Sequence, residues 1–196
     1  MSLLDHDLLV VRQRTKLIEL TNQYDLLDAD GTTVGTVEQV GQTTLRKAVR
    51  LLGRIDQFLT HRLEVREADG TVALVLVRPA KLMKSKVEVA DGAGAAVGSI
   101  VQRNVIGKIR FGLVGPGGEE LGEIRGENWR QWDFAVVDTR DHEVGRITKQ
   151  WRGLLREGFT TADSWLVSVE AGLDGPLRAL VVASGAAVDT ALKQDE

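Results

Sequence analysis

The sequence predicts a mainly β fold of close to twelve antiparallel strands, with one buried helix near the C-terminus. Two observations carry that prediction. A hairpin pattern recurs along the chain, and a nearly uncharged stretch of helical character follows the last strand. The chain's 196 residues, 43% apolar and 27% charged, are those of an ordinary globular protein, and the length favours a single domain over residues 1–196.

The hairpin pattern appears as YDLLDADGTTVGTVEQ from Tyr24, VEVADGAGAAVGSIVQ from Val87, FGLVGPGGEELGEIRG from Phe111 and FAVVDTRDHEVGRITK from Phe134. LEVREADGTVALVLVR from Leu63 is a looser copy. Each copy alternates apolar and polar residues, meets Asp or Gly, and alternates again. That is the signature of two antiparallel strands joined by a tight turn, because Asp and Gly accept the backbone conformations such turns need. Four copies share a Val/Leu-Gly-x-Val/Ile core at Gly35, Gly98, Gly122 and Gly145. Further strands are expected at residues 8–13, 16–20 and 165–169. So many strands in one domain stack as a sandwich or close as a barrel. A wide barrel cannot fill its interior with strand side chains alone, so it takes a ligand, water or a plug.

The stretch PLRALVVASGAAVDTAL, from Pro176 to Leu192, supplies the plug. Its uncharged part is about half the roughly 20 residues a membrane span needs. Arg178 and Asp189 bound it, and Gly185 with several alanines makes it slim. Gly175 and Pro176 provide the helix start, with Asp174 beside the positive end of the helix dipole. A buried helix over about 175–192 is therefore expected.

Composition removes several function classes. With no cysteine there is no disulfide, thiolate metal site, Cys nucleophile or palmitoylation, and a reducing compartment suits the chain. Three histidines, His6, His61 and His142, give little material for a nucleophile–base pair, so no enzyme is expected. Asp5 and Asp7 stand where an export signal would be basic. Asp141-His142-Glu143 occupies a hairpin turn, DADG at 28–31 lacks the remaining oxygens of a calcium loop, and GAGAAVG at 92–98 precedes a strand rather than a phosphate-binding helix.

Charge is the more informative signal. The net charge is -3, yet residues 42–86 carry ten Lys/Arg against four Asp/Glu. Arg46, Lys47, Arg50 and Arg54 gather along one side of an expected helix, and Arg78, Lys81, Lys84 and Lys86 surround the loop opened by Pro79, with Leu82 and Met83 among them. These eight cations are the candidate lipid-headgroup ligands, a solvated basic surface being the other reading. Near an anionic bilayer each is worth on the order of 1 kcal/mol. Trp129, Trp132 and Trp151 are candidates either for interfacial anchoring or for the core. Nucleic acid fits poorly, because aromatics are not interleaved with the cations and the isoelectric point is about 5.7.

GRITKQWRGLLREGFTTADSWLVSV, residues 145–169, resembles the corresponding stretch of the phospholipid scramblases. The similarity continues through Asp174 and Val188-Asp189, and upstream through LVLVRPAKLMKSKVEVAD and VGSIVQ. Scramblases share a fold with plant LURP-one-related proteins and the tubby C-terminal domain. The resemblance therefore implies a closed twelve-stranded antiparallel barrel around a central hydrophobic helix. It also implies a lipid-facing role, either calcium-dependent movement of phospholipid between leaflets or binding of anionic phospholipid at the inner membrane face. The family's calcium segment lies at residues 161–172, where Thr161 and Gly172 replace acidic positions and Asp163 remains as the metal candidate. Calcium takes six to eight oxygens, several of them carboxylate, and alternating Trp165, Val167 and Val169 read as a strand. No cofactor is expected. The expected partner is an anionic phospholipid or membrane surface, with the protein cytoplasmic and peripheral on the inner face of the plasma membrane. A soluble scaffold or small-ligand carrier is the remaining alternative. The oligomeric state is not legible.

Overall fold

Alternating apolar and polar residues pair into hairpins, and the hairpins close on themselves. The structure is a computed structural model that describes residues 2–14, 23–40, 61–79, 85–104, 108–127, 132–149 and 164–187. The strands are β1 (Leu8–Gln13), β2 (Gln23–Leu27), β3 (Thr33–Val40), β4 (His61–Glu67), β5 (Val72–Arg78), β6 (Lys86–Asp91), β7 (Ala96–Gln102), β8 (Ile109–Val114), β9 (Glu120–Gly126), β10 (Asp133–Asp138), β11 (Glu143–Thr148) and β12 (Ser164–Val169). Each pairs antiparallel with its neighbour in sequence, and β1 also pairs with β12, so the sheet is a closed twelve-stranded barrel. The expected strand at 16–20 and the expected helix bearing Arg46–Arg54 lie outside the described residues.

Five hairpin turns have one design. In each, a residue at the end of the first strand or just after it donates its amide to the carbonyl four residues on and accepts from the amide three residues on, as in Asp28 N–H to Thr32 O (2.9 Å) and Gly31 N–H to Asp28 O (3.1 Å). The fourth residue takes a left-handed conformation: Gly31, Gly70, Gly94 and Gly118 at φ 81° to 89°, and Asp141 at 61°. A register shift follows in every hairpin, the bulge that accompanies three-residue loops. The recurring Asp is explained as well. The carboxylates of Asp28, Asp91 and Asp138 each accept two backbone amides of their own turn.

The shared glycine of the repeat has a packing cause. A Cβ at Gly35, Gly98 or Gly122 would lie 2.3 Å from a carbonyl oxygen of the adjacent strand, and one at Gly145 would lie 2.8 Å from Ser168 O. Gly98 and Gly145 also face Leu180 and Val181 of the plug.

The plug is α1 (Gly175–Ala187), starting at the expected residue, whereas residues 188–192 of the expected helix lie outside those described. From Leu180 to Ala187 every residue is buried. Trp165 of β12 donates its indole N–H to the Gly185 carbonyl (2.9 Å) and meets Tyr24 edge-on at 5.4 Å. The core is the inward face of the strands packed around this helix. A strap at the N-terminus closes the helix's entry. Leu3 is fully buried, and Ser2 Oγ and the Leu3 amide donate to the Glu67 carboxylate (2.6 and 2.9 Å). Arg178 of α1 donates to the carbonyls of Leu4 and Leu173 and to Asp7 (2.9 Å).

Candidate lipid-facing surface

Because the strands alternate in direction, the barrel has two unlike ends. All five hairpin turns, the N-terminal strap and the start of α1 lie at one end. Carboxylates crowd there: Asp28 and Asp30, Asp69, Asp91, Glu119, and Asp138 with Asp141 on the five turns, then Asp5, Asp7, Glu170 and Asp174 around the helix entry. The Asp138 carboxyl is held below its ordinary value by the backbone N–H of His142 and then that of Arg140, and Asp69 by hydrogen bonds from Thr71.

The opposite end is where β1, β3, β5, β7, β9 and β11 finish and their successors begin. By sequence, the joining segments 14–22, 41–60, 79–85, 103–108, 127–132 and 149–163 hold fourteen Lys/Arg against five Asp/Glu. The sequence-predicted cations Arg46, Lys47, Arg50 and Arg54 belong to the segment between β3 and β4, and Lys81 and Lys84 to that between β5 and β6. These six, with Asp163, lie outside the described residues. Their anchor points adjoin, since β4 begins opposite the end of β5 (His61 beside Arg78).

Two candidates are described, and they differ. Lys86 is on the outer wall, half exposed and 3.1 Å from Glu88. Arg78 corrects the expectation. It falls in phase with Leu74 and Leu76 on the inward face of β5 and is only 2% exposed, so in this arrangement it does not offer its charge to a headgroup. Trp132 is likewise committed to the core, 5.7 Å from Trp165 and 6.3 Å from Phe134, with the Lys149 ammonium 4.1 Å over its ring. Trp129 and Trp151 lie outside the described residues.

The expected turn at 141–143 is present. Asp141 pairs with Arg125 (2.7 Å), Glu143 with Arg146 (2.7 Å), and His142 Nδ1 stands 3.5 Å from Glu170. Among the described residues no group of three or more His, Asp or Glu is arranged to hold a metal ion.

Sequence reasoning missed the contrast between the outer walls. Over β8–β11 the wall is a lattice of ion pairs: Arg110 and Arg125 on Glu123, and Arg146 between Asp133 and Glu143. These partners push the Arg125 and Arg146 guanidinium values up, the hydrogen bonds they donate to Glu123 and Glu143 respectively being the largest causes. A lipid-facing barrel wall carries an apolar band instead. Over β5–β7 the outward positions include Val75, Val77, Ala90 and Ser99 beside the ion pair of Lys86 with Glu88, and a groove opens there. No helix among the described residues is long and apolar enough to cross a membrane.

A family model for the scramblases matches residues 2–192. The chain belongs to the scramblase family. It is 24% identical to a phospholipid scramblase family protein of Schizosaccharomyces pombe, over 84% of this chain and 46% of that protein, so it spans about half the length of that relative. No solved structure matches.

Proposed function

We propose that this scramblase-family domain attaches to anionic phospholipid surfaces through the end of the barrel where the long connections emerge, and that it performs no bond chemistry. The observation that carries this reading is the separation of charge between the ends: turn carboxylates at one, a cationic excess in the connecting segments at the other. Such a molecule orients in the field of an anionic leaflet, basic end inward. Arg46, Lys47, Arg50, Arg54, Lys81, Lys84 and Lys86 are the proposed headgroup ligands; Arg78 is not carried forward. The anionic cytoplasmic leaflet is the natural target for a cysteine-free chain of this kind.

Sedimentation with phosphatidylserine-containing vesicles tests it. Binding is expected at low salt and release near 0.5 M salt, where the screening length falls to about 4 Å. Exchanging Lys81, Lys84 and Lys86 for Glu should weaken binding at least tenfold, three cations near the surface being worth about 3 kcal/mol. Binding that ignores both salt and these exchanges overturns the proposal.

Family membership favours a second reading, movement of phospholipid between leaflets. The ion-paired outer wall of β8–β11 and the helix-filled interior both argue against a polar path through the described barrel. Proteoliposomes with labelled lipid, with and without calcium, decide it: acceleration over empty vesicles supports translocation, and calcium dependence abolished by Asp163→Asn supports a metal role for that residue.

A further inference from the structure

The groove on the outer wall of β5–β7 encloses about 790 Å³, within the roughly 300–1,000 Å³ of small-ligand sites. Its cause is a run of short outward side chains at adjacent register positions. Val77 stands opposite Glu88, Glu88 opposite Ser99, and Ser99 opposite Val114, while Val75 faces Ala90. The turns at 91–95 and 115–119 rise beside this low floor. At the end nearest the long connections the groove gains Lys86 and Arg62; Glu88, 57% exposed and 3.1 Å from Lys86, stands across Val77 from Arg62, whose guanidinium is 3.2 Å from Glu64.

We infer that this groove binds a single-chain phospholipid in monomeric form, its head carrying both a phosphate and an ammonium group. The floor of Val75, Val77 and Ala90 takes the acyl chain, Lys86 and Arg62 take the phosphate, and Glu88 takes the ammonium. Charge complementarity selects that head: cations alone would suit a bare phosphate or carboxylate, whereas the groove sets an exposed carboxylate among them. A peptide strand does not fit, because a closed sheet has no free edge on which to add it. A lipid still in a bilayer does not fit either. With the long-connection end on the membrane, the head site would lie nearest the membrane and the chain would point away from it.

This inference goes beyond membrane attachment and is read separately from it. Calorimetric titration with lysophosphatidylethanolamine below its micelle-forming concentration should give saturable one-to-one binding. Ala90→Phe, which fills the floor from an outward position, should weaken it at least tenfold, and Ser99→Tyr serves the same purpose should the first variant not fold. Glu88→Gln should weaken lysophosphatidylethanolamine by about tenfold, as expected for a lost charged hydrogen bond, while leaving lysophosphatidic acid no weaker. Both floor variants should still sediment with phosphatidylserine vesicles like the parent. No binding by the parent, undiminished binding by both floor variants, or equal affinity for a plain fatty acid would overturn the site. Failure of vesicle sedimentation alone would count against membrane attachment and leave the groove standing.

Discussion

Carboxylates at the hairpin end of the barrel repeat one set of contacts, whereas the described cations at the other end are held one by one: Arg14 on Asp25, Lys108 on Glu127 and Lys149 over Trp132. Asp28, Asp91 and Asp138 each tie down two amides of their own turn, Glu67 holds the N-terminal strap, and Asp7 is clasped by Arg178 of the plug. Five turns of one design follow, because a three-residue loop with a left-handed fourth position admits few alternatives. The connections at the opposite end run from six to twenty residues, share no pattern and carry the cationic excess. Position in the topology thus separates the repeated turn carboxylates from the connecting segments in which the sequence concentrates cations.

The comparison breaks most directly at the helix entry. Arg178→Ala leaves the carbonyls of Leu4 and Leu173 and the carboxylate of Asp7 without their donor, and the side chain it removes is only 11% exposed. Urea denaturation should register a loss of about 3 kcal/mol. Gly185→Ala is the matching interior test, since the new Cβ would lie 2.2 Å from Val167 Cγ2 of β12. An overpacking loss of about 1–3 kcal/mol is expected.

A turn substitution is milder. At Gly70, φ is 86° and nothing lies within 4 Å of the position a Cβ would take, so Gly70→Ala meets no clash but does meet backbone strain. A loss of about 1 kcal/mol should follow, read as a lowered denaturation midpoint. Acid offers a further test. The depressed Asp138 value means that its contribution to stability is present above the unfolded aspartate value of about 3.9 and is lost as pH falls through the lower folded value. An NMR titration should place Asp138 below the ordinary aspartate value of about 3.9, and Asp138→Asn should flatten the acid limb of the stability curve. At the other extreme, Lys81→Gln with Lys84→Gln should change stability by less than about 0.5 kcal/mol while weakening vesicle binding. Equal stability losses at both ends would erase the distinction.

Legibility in the sequence divided along the same line as range of interaction. The hairpins were readable because alternation and turn residues act over a few neighbours, and the start of α1 at Gly175 was readable because Asp-Gly-Pro is a local signal. Arg78 was readable too, in the alternation of Leu74, Leu76 and Arg78, yet its charge and its neighbours Lys81 and Lys84 drew it into the basic cluster. Trp132 was ambiguous, because an indole serves core and interface equally and only its contacts with Trp165 and Phe134 decide.

By itself the amino-acid order determined that this chain forms hairpins of a repeated kind, buries a slim helix and concentrates positive charge between residues 42 and 86. Tertiary structure alone decided that β1 meets β12 to close a barrel, that the hairpin turns and the ends of the long connections lie at opposite ends of it, and that Val77, Ala90 and Ser99 line one groove. The physical reason is that turn geometry and side-chain alternation are set by adjacent residues, whereas closure, direction and register depend on pairings between segments that only the folded sheet brings together.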